Sequence, residues 1–255
     1  STKIKHYWPL IKSPQTGLLV LTGLTGFVSA RCPVYNLTTI LSVIGSLFFA
    51  VSGSTILNMV WDRDIDAKMN RTKHRPLPSG LIDPQQAWIV GLGISALGLL
   101  WAASLDLLFA GIVFAGLFFD VVVYTIWLKR KTAWSIVWGG ISGGMPILAG
   151  RALGIGAIDE VGILFMFGIL FWIPTHILTF SIKYAADYAD ADVPTFPSSY
   201  GVGATRIIIS ISSFIAAFSM LLSGVMMDLG AGYLRLILVL AAGLLGLAMS
   251  TIFTP

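Results

Sequence analysis

The feature that most constrains this chain is a series of eight apolar runs, near residues 14–30, 37–61, 84–104, 107–127, 134–150, 161–182, 205–227 and 232–253. A helix of about 20 residues crosses a hydrocarbon core of about 30 Å. In lipid every backbone polar group needs an internal partner, and a helix supplies one within a single segment. The runs are too long and too uniform for a barrel, whose strands are alternating segments of about 10 residues. The expected fold is therefore all-α: a polytopic transmembrane helical bundle of eight spans, one domain over residues 1–255. Charged residues make up only 11% of the chain, against about 25% in soluble domains. The first run, from about Gly17, reads as the first span rather than a cleavable signal. Glycines such as Gly139, Gly140, Gly143 and Gly144 suit close helix approach in lipid. Cys32, the single cysteine, permits no disulfide within the chain and reads as an inert apolar thiol.

The sixteen basic residues are distributed unevenly. Thirteen lie at the amino terminus, at 63–75, at 129–131, and at Lys183 and Arg206; only Arg31, Arg151 and Arg235 fall on the other side. The positive-inside bias puts the amino terminus and the even-numbered loops in the cytoplasm of a multi-pass cell-membrane protein. Topology thus explains the basic balance, and no nucleic-acid partner is expected. Trp8, Trp88, Trp127 and Trp134 fall near span ends, as an aromatic belt does.

The acids divide into two groups. Asp106, Asp159, Glu160 and Asp228 lie on the sparsely charged side, and Asp83-Pro84 reads as a helix N-cap followed by Pro at the first position. These five are structural by expectation. The other seven gather toward the cytoplasmic side: Asp62, Asp64 and Asp66 after the second run, Asp120 in the fourth, and Asp187, Asp190 and Asp192 after the sixth. Ionisable groups at membrane depth are costly and face a polar cavity. Asn58, Asp62 and Asp66 are four residues apart, so on a helix they fall within about 80° of one another as one polar stripe. Asp64 points elsewhere, toward Arg63, Lys68 or water. If the sixth helix continues, Lys183, Asp187 and Asp190 share a face, with fraying expected before Pro194 and Pro197. Facing carboxylates repel, and a hard cation resolves that. Mg²⁺ is commonly held by one or two carboxylates plus substrate phosphates. Basic residues stand close in sequence, from Asn70-Arg71 to Arg75 and at Lys129-Arg130-Lys131. Acids for a metal beside cations for oxyanions make a diphosphate site.

Asn58-Met-Val-Trp-Asp62-Arg-Asp-Ile-Asp66, with Asn70-Arg71 through Arg75-Pro-Leu-Pro-Ser-Gly80, resembles the first aspartate-rich motif of the UbiA superfamily of intramembrane prenyltransferases. The resemblance continues at Tyr124–Thr132, at Gly139–Pro146 and at Lys183-Tyr-Ala-Ala-Asp187-Tyr-Ala-Asp190-Ala-Asp192-Val-Pro194. It implies a central cavity open to the cytoplasmic side and to lipid, with the site on loops 63–83, 128–133 and 183–204. It also implies two Mg²⁺ ions bridging the donor diphosphate, held by Asp62 and Asp66 and by Asp187 with Asp190 or Asp192. Asp62, Asp66, Asp187 and Asp190 are the implied catalytic set. Asn58, Arg71, Arg75, Tyr124, Lys129, Arg130 and Lys183 are the implied substrate-binding positions. The donor would be farnesyl, geranyl or geranylgeranyl diphosphate, and the acceptor haem B, an aromatic quinone precursor or a glycerol-phosphate lipid. Tyr124–Thr132, Trp172-Ile-Pro-Thr-His176 and Asp187–Pro194 lean toward the haem-prenylating branch. The family usually has nine spans; eight are read here.

Three aromatics, Tyr124, Phe180 and Tyr184, are candidates to shield an allylic cation, with packing as the plainer role. Asp120 would orient the acceptor, take its proton, or pair with a Lys or Arg. His176 would be a haem or acceptor contact or, as the plainer expectation, hydrogen-bond within the bundle. The competing class is an aspartate-lined transporter or cation channel, which calls for acids at the membrane midplane.

Overall fold

The computed structural model describes residues 6–30 and 36–253; Lys3, Lys5, Arg31 and Cys32 lie outside the described residues. Among the described residues every regular element is helical. Eight long helices stand where the apolar runs are: α1 (Ser13–Ser29), α2 (Leu37–Trp61), α3 (Pro84–Leu105), α4 (Leu107–Leu128), α5 (Ser135–Ile155), α6 (Glu160–Lys183), α7 (Phe196–Met226) and α8 (Ala231–Phe253). Six of these, all but α1 and α5, are long and apolar enough to cross a membrane. The expected count of eight spans is corrected to that extent. α1 has 17 residues, and α5 carries six glycines and Arg151, which lower its hydropathy.

The helix starts follow local chemistry. Asp83, Asp106 and Asp159 each accept a first-turn N–H, from Gln85 at 3.1 Å, Phe109 at 2.8 Å and Gly162 at 2.9 Å. Each such cap is worth about 1 kcal/mol. α7 begins at Phe196, nine residues before the predicted start at 205. Thr195 and Ser198 form a capping box, and Pro197 sits in the first turn, where it needs no hydrogen-bonded N–H. Gly201, at φ 83°, then absorbs a kink that a residue with a Cβ would resist.

α5 is the hub, packing against α1, α4 and α6. Its contact with α1 is backbone against backbone. A Cβ on Gly26 would meet the Ile147 carbonyl oxygen, and one on Gly150 the Gly23 carbonyl oxygen. At the same seam buried Arg151 is held by Asp159 at 2.6 Å and by the Ser29 carbonyl at 3.0 Å, joining α1, α5 and the start of α6. The outer surface is apolar: Leu100 is 71% exposed and Leu247 72%. Lipid is the solvent such a surface requires.

α4 changes its winding partway. Leu107–Leu117 is α-helical, and Phe118–Leu128 is a π-helix, continued by the Lys129 N–H donating to the Tyr124 carbonyl at 2.8 Å. At 100° per residue, Asp120 and Lys129 would point about 180° apart. With i→i−5 bonding and about 4.4 residues per turn, the same nine-residue step brings them within about 20°. Asp120, Tyr124, Thr125 and Lys129 thereby share one inward face.

Candidate active site

α2 delivers the first acidic motif. Its last residue is Trp61, and Asp62 turns the chain into a short helix, Arg63–Lys68. The Asp66 N–H donates to the Asp62 carbonyl at 2.8 Å, so both carboxylates stay on one side, and both are buried. Lys129 reaches Asp62 Oδ2 at 2.5 Å, and Arg75 reaches Asp66 Oδ2 at 2.7 Å. Among the described residues the other Asp62 oxygen, Oδ1, is buried without a hydrogen-bond partner. Burial works against the charge on Lys129, but Tyr124 and the Asp62 carboxylate reverse this and raise its pKa.

Below this pair, toward the bundle interior, lies a polar network. The Asn58 amide donates to Asp120 at 2.7 Å, the Ser54 hydroxyl also donates to Asp120, and the Thr125 hydroxyl donates to Asn58 Oδ1 at 2.9 Å. Among the described residues Asp120 therefore pairs with neither Lys nor Arg. Its partners are neutral donors that the π-helical turn brings round.

The second motif is broken where the sequence reading ran it on. α6 stops at Lys183, Tyr184 caps it, and Ala185–Asp190 is a separate helix. Asp187 accepts the Arg71 backbone N–H at 3.3 Å, and Asp192 accepts from Lys68 at 3.3 Å. These bonds join segments 116 and 124 residues apart in sequence. Asp190 and Asp192 are exposed. Lys183 is exposed too, with its ammonium 5.4 Å from the Tyr184 ring centre. Arg130 forms a two-pronged pair with Asp64 at 2.7 Å and donates to the Trp61 carbonyl. That pair lowers the Asp64 pKa and displaces the Arg63 or Lys68 partner expected for it. It also takes Arg130 away from the cavities. Among the described residues no three acidic, His or Cys side chains stand close enough to hold a metal by themselves. Asp62, Asp66, Asp187 and Asp192 are instead tied up individually, each to a cation or N–H.

Two cavities meet at this end of the bundle. The larger, about 300 Å³, runs between α1, α2, α4, α5 and α6 along Leu47, Val113 and Pro146, with Asp120 on its wall. The smaller, about 220 Å³, is lined by Asp66, Arg71, Arg75 and Tyr188. Lys12, Asp62, Tyr124, Lys129 and His176 line both. The result is an apolar chamber opening into a polar, cationic one. Asn58, Asp62, Asp66, Arg71, Arg75, Tyr124 and Lys129 all reach this space; Arg130, Lys183, Asp187, Asp190 and Asp192 stand around it. α1 and α6 both pack on α5, and residues of both line the larger chamber.

The sequence reading missed Lys12 and gave His176 its plainer role. Lys12 has φ 45°, an uncommon conformation for a residue with a Cβ, and caps α1. Burial, then Arg75 and Lys129, lower its pKa. A basic residue just before a span gave no signal beyond topology. His176 makes no hydrogen bond among the described residues. It stacks on Trp172, with ring centres 5.6 Å apart, and meets the edge of Phe180 at 4.8 Å.

Residues 19–254 match the UbiA prenyltransferase family. The chain is 41% identical over 200 residues to a protoheme IX farnesyltransferase of Archaeoglobus fulgidus, covering 78% of this chain and 70% of that protein. It is 38% identical over 244 residues to one of Pyrobaculum neutrophilum, covering 95% and 83%. Among solved structures, a digeranylgeranylglyceryl phosphate synthase superposes with a TM-score of 0.81 at 20% identity, over 100% of this chain and 89% of that one. A UbiA homologue from Archaeoglobus fulgidus bound to GPP and Mg²⁺ superposes with a TM-score of 0.65 at 16% identity, over 98% and 100%. With the match running over nearly the whole chain, this multi-pass membrane protein belongs to the UbiA prenyltransferase family and is a prenyltransferase.

Proposed function

We propose that the enzyme moves an isoprenyl group, farnesyl by preference, from its diphosphate to haem B in a Mg²⁺-dependent reaction on the cytoplasmic side of the cell membrane. The observation that carries the donor half is the state of Asp62. One oxygen is held by Lys129 and the other is buried with no partner. A buried carboxylate oxygen left bare is costly, and a hard cation is its natural complement. The oxygen-only donors fit Mg²⁺. Asp62 and Asp66 would hold it from the α2 side, and Asp187, with Asp190 or Asp192, from the other. Bound there, Mg²⁺ neutralises charge on the diphosphate and makes it a better leaving group.

The remaining work falls to the chain itself. Lys129 and Arg75, now paired with acids, are the nearest cations for diphosphate oxygens, with Arg71 and Lys12 beside them. They act on charge that grows as the allylic C–O bond breaks. Asn58, fixed by Asp120 and Thr125, keeps the stripe in register. The apolar chamber takes the isoprenyl tail and keeps water from the reacting carbon, with the Tyr124 ring at the junction to favour the cation. Arg130 acts as scaffold through Asp64, and Lys183 as an outer cation near Tyr184.

The acceptor rests on the relatives named protoheme IX farnesyltransferase, two of them 41% and 40% identical to this chain. The cytoplasmic orientation rests on the distribution of basic residues. Membership of a prenyltransferase family replaces the transporter or channel alternative. The test is equilibrium binding of radiolabelled farnesyl and geranylgeranyl diphosphates to purified protein, with Mg²⁺ or with EDTA. Binding should need Mg²⁺ and be lost in Asp62→Ala. Binding that survives both EDTA and Asp62→Ala would overturn the donor site.

A further inference from the structure

We propose that His176 is an axial ligand to the iron of the porphyrin acceptor. The inference rests on the haem reading above and adds to it a specific atom that recognises the metal.

His176 is exposed rather than packed into the core, and it lines both chambers. Here, among the described residues, neither nitrogen has a hydrogen-bond partner, and the contacts made are those of the ring. Trp172 lies parallel to it, with 5° between the planes, and Phe180 meets it edge-on. Trp172, His176 and Phe180 are spaced four residues apart, so they form a ladder along one face of α6, which Tyr184 extends by stacking on Phe180 at 5.7 Å. Pro174 stiffens the turn that carries the imidazole. The ladder holds the ring plane of a residue that lines both chambers.

Its position matters as much. His176 lines both chambers, as do Asp62 and Lys129, so it stands where the donor's reacting end would lie. A flat apolar macrocycle in the larger chamber would find aromatic faces to lie against and a nitrogen lone pair for its metal. Imidazole is the usual protein ligand to haem iron. Coordination is dative and changes no oxidation state. Anchoring at the iron would hold one edge of the ring toward the polar junction without contacts to the reacting carbon, which is positioning of the kind that lowers the entropic part of a barrier.

The experiment is an optical and electron paramagnetic resonance titration of ferric haem B into the purified protein in nanodiscs, run in parallel with metal-free protoporphyrin IX. The variants are His176→Ala, His176→Ala with added imidazole, and His74→Ala as a control at an exposed site. Wild type and His74→Ala should give a histidine-ligated spectrum. His176→Ala should lose it and bind haem at least about tenfold more weakly, yet bind metal-free protoporphyrin as wild type does. Imidazole should restore the spectrum. A histidine-ligated spectrum that persists in His176→Ala overturns the proposal while leaving the haem reading intact. A wild-type protein that binds neither porphyrin overturns the haem reading, and the proposal with it.

Discussion

Gly150→Ala puts the α1–α5 seam to the test. A Cβ at Gly150 would lie 1.8 Å from the Gly23 carbonyl oxygen, 2.8 Å from its carbon and 2.9 Å from the Phe27 nitrogen. All three are backbone atoms, so no rotamer change relieves the clash. Carbon-to-oxygen contacts settle near 3.3 Å, so the helices must part by about 1.5 Å. A radial gap of 0.5–1 Å already forfeits a quarter to a half of a dispersion well, and the whole seam is affected. Overpacking of this kind costs about 1–3 kcal/mol or more. Ala returns up to about 1 kcal/mol through helix propensity. The net loss should be about 2 kcal/mol, or about 4–8 °C in midpoint for a chain of this length. Gly93→Ala is the matched control, because a Cβ there meets nothing within 4 Å. Thermal unfolding of both variants in the same detergent, followed by tryptophan fluorescence, reads the difference. A Gly150→Ala protein that unfolds with wild type would refute the close approach of α1 and α5.

Other perturbations bear on the site and its frame. Lys129→Met removes the cation from Asp62, and prenyl-donor affinity should fall about 10- to 100-fold, the worth of a charged hydrogen bond, in the radioligand assay. Asp120→Ala strands the Asn58 amide, so stability should drop by about 1–3 kcal/mol in a denaturant titration, with an unchanged midpoint counting against the network. Asp159→Ala leaves Arg151 buried without its partner and should cost about 3–5 kcal/mol in the same measurement. The same pair sets an acid limit. Hydrogen bonding to Arg151 holds the Asp159 pKa below its ordinary value. Its stabilisation is therefore complete above the unfolded value of about 3.9 and is lost as pH falls through the lower folded value. Midpoints measured from pH 6 down to pH 3 should fall more steeply for wild type than for Asp159→Asn.

Much of the frame was legible in the sequence because lipid imposes a simple rule of length and hydropathy. That rule located all eight helices, and cap chemistry marked Asp83 as a helix start. The stripe of Asn58, Asp62 and Asp66 was legible because its spacing matches the α period, and the turn at Asp62 leaves the period almost undisturbed. The inward face of α4 was not. At the α period, Asp120 and Lys129 point in opposite directions, and only the π winding of Phe118–Leu128 brings them to one cavity. The partners of Asp64 and Asp120 were hidden for a related reason, since Arg130 and Ser54 lie 66 residues away in sequence from the acids they meet. The break at Tyr184, which separates Lys183 from Asp187, carries neither Gly nor Pro to announce it.

The proposed reaction is Mg²⁺-dependent transfer of an isoprenyl group to haem, governed by Asp62. The direct measurement is mass spectrometry of haem extracted after incubating the membrane-reconstituted enzyme with farnesyl diphosphate and haem B. Farnesylated haem should form with wild type and Mg²⁺, and should be absent with EDTA or with Asp62→Ala. Haem recovered unmodified under every condition, from an enzyme that still binds the donor, would contradict the account.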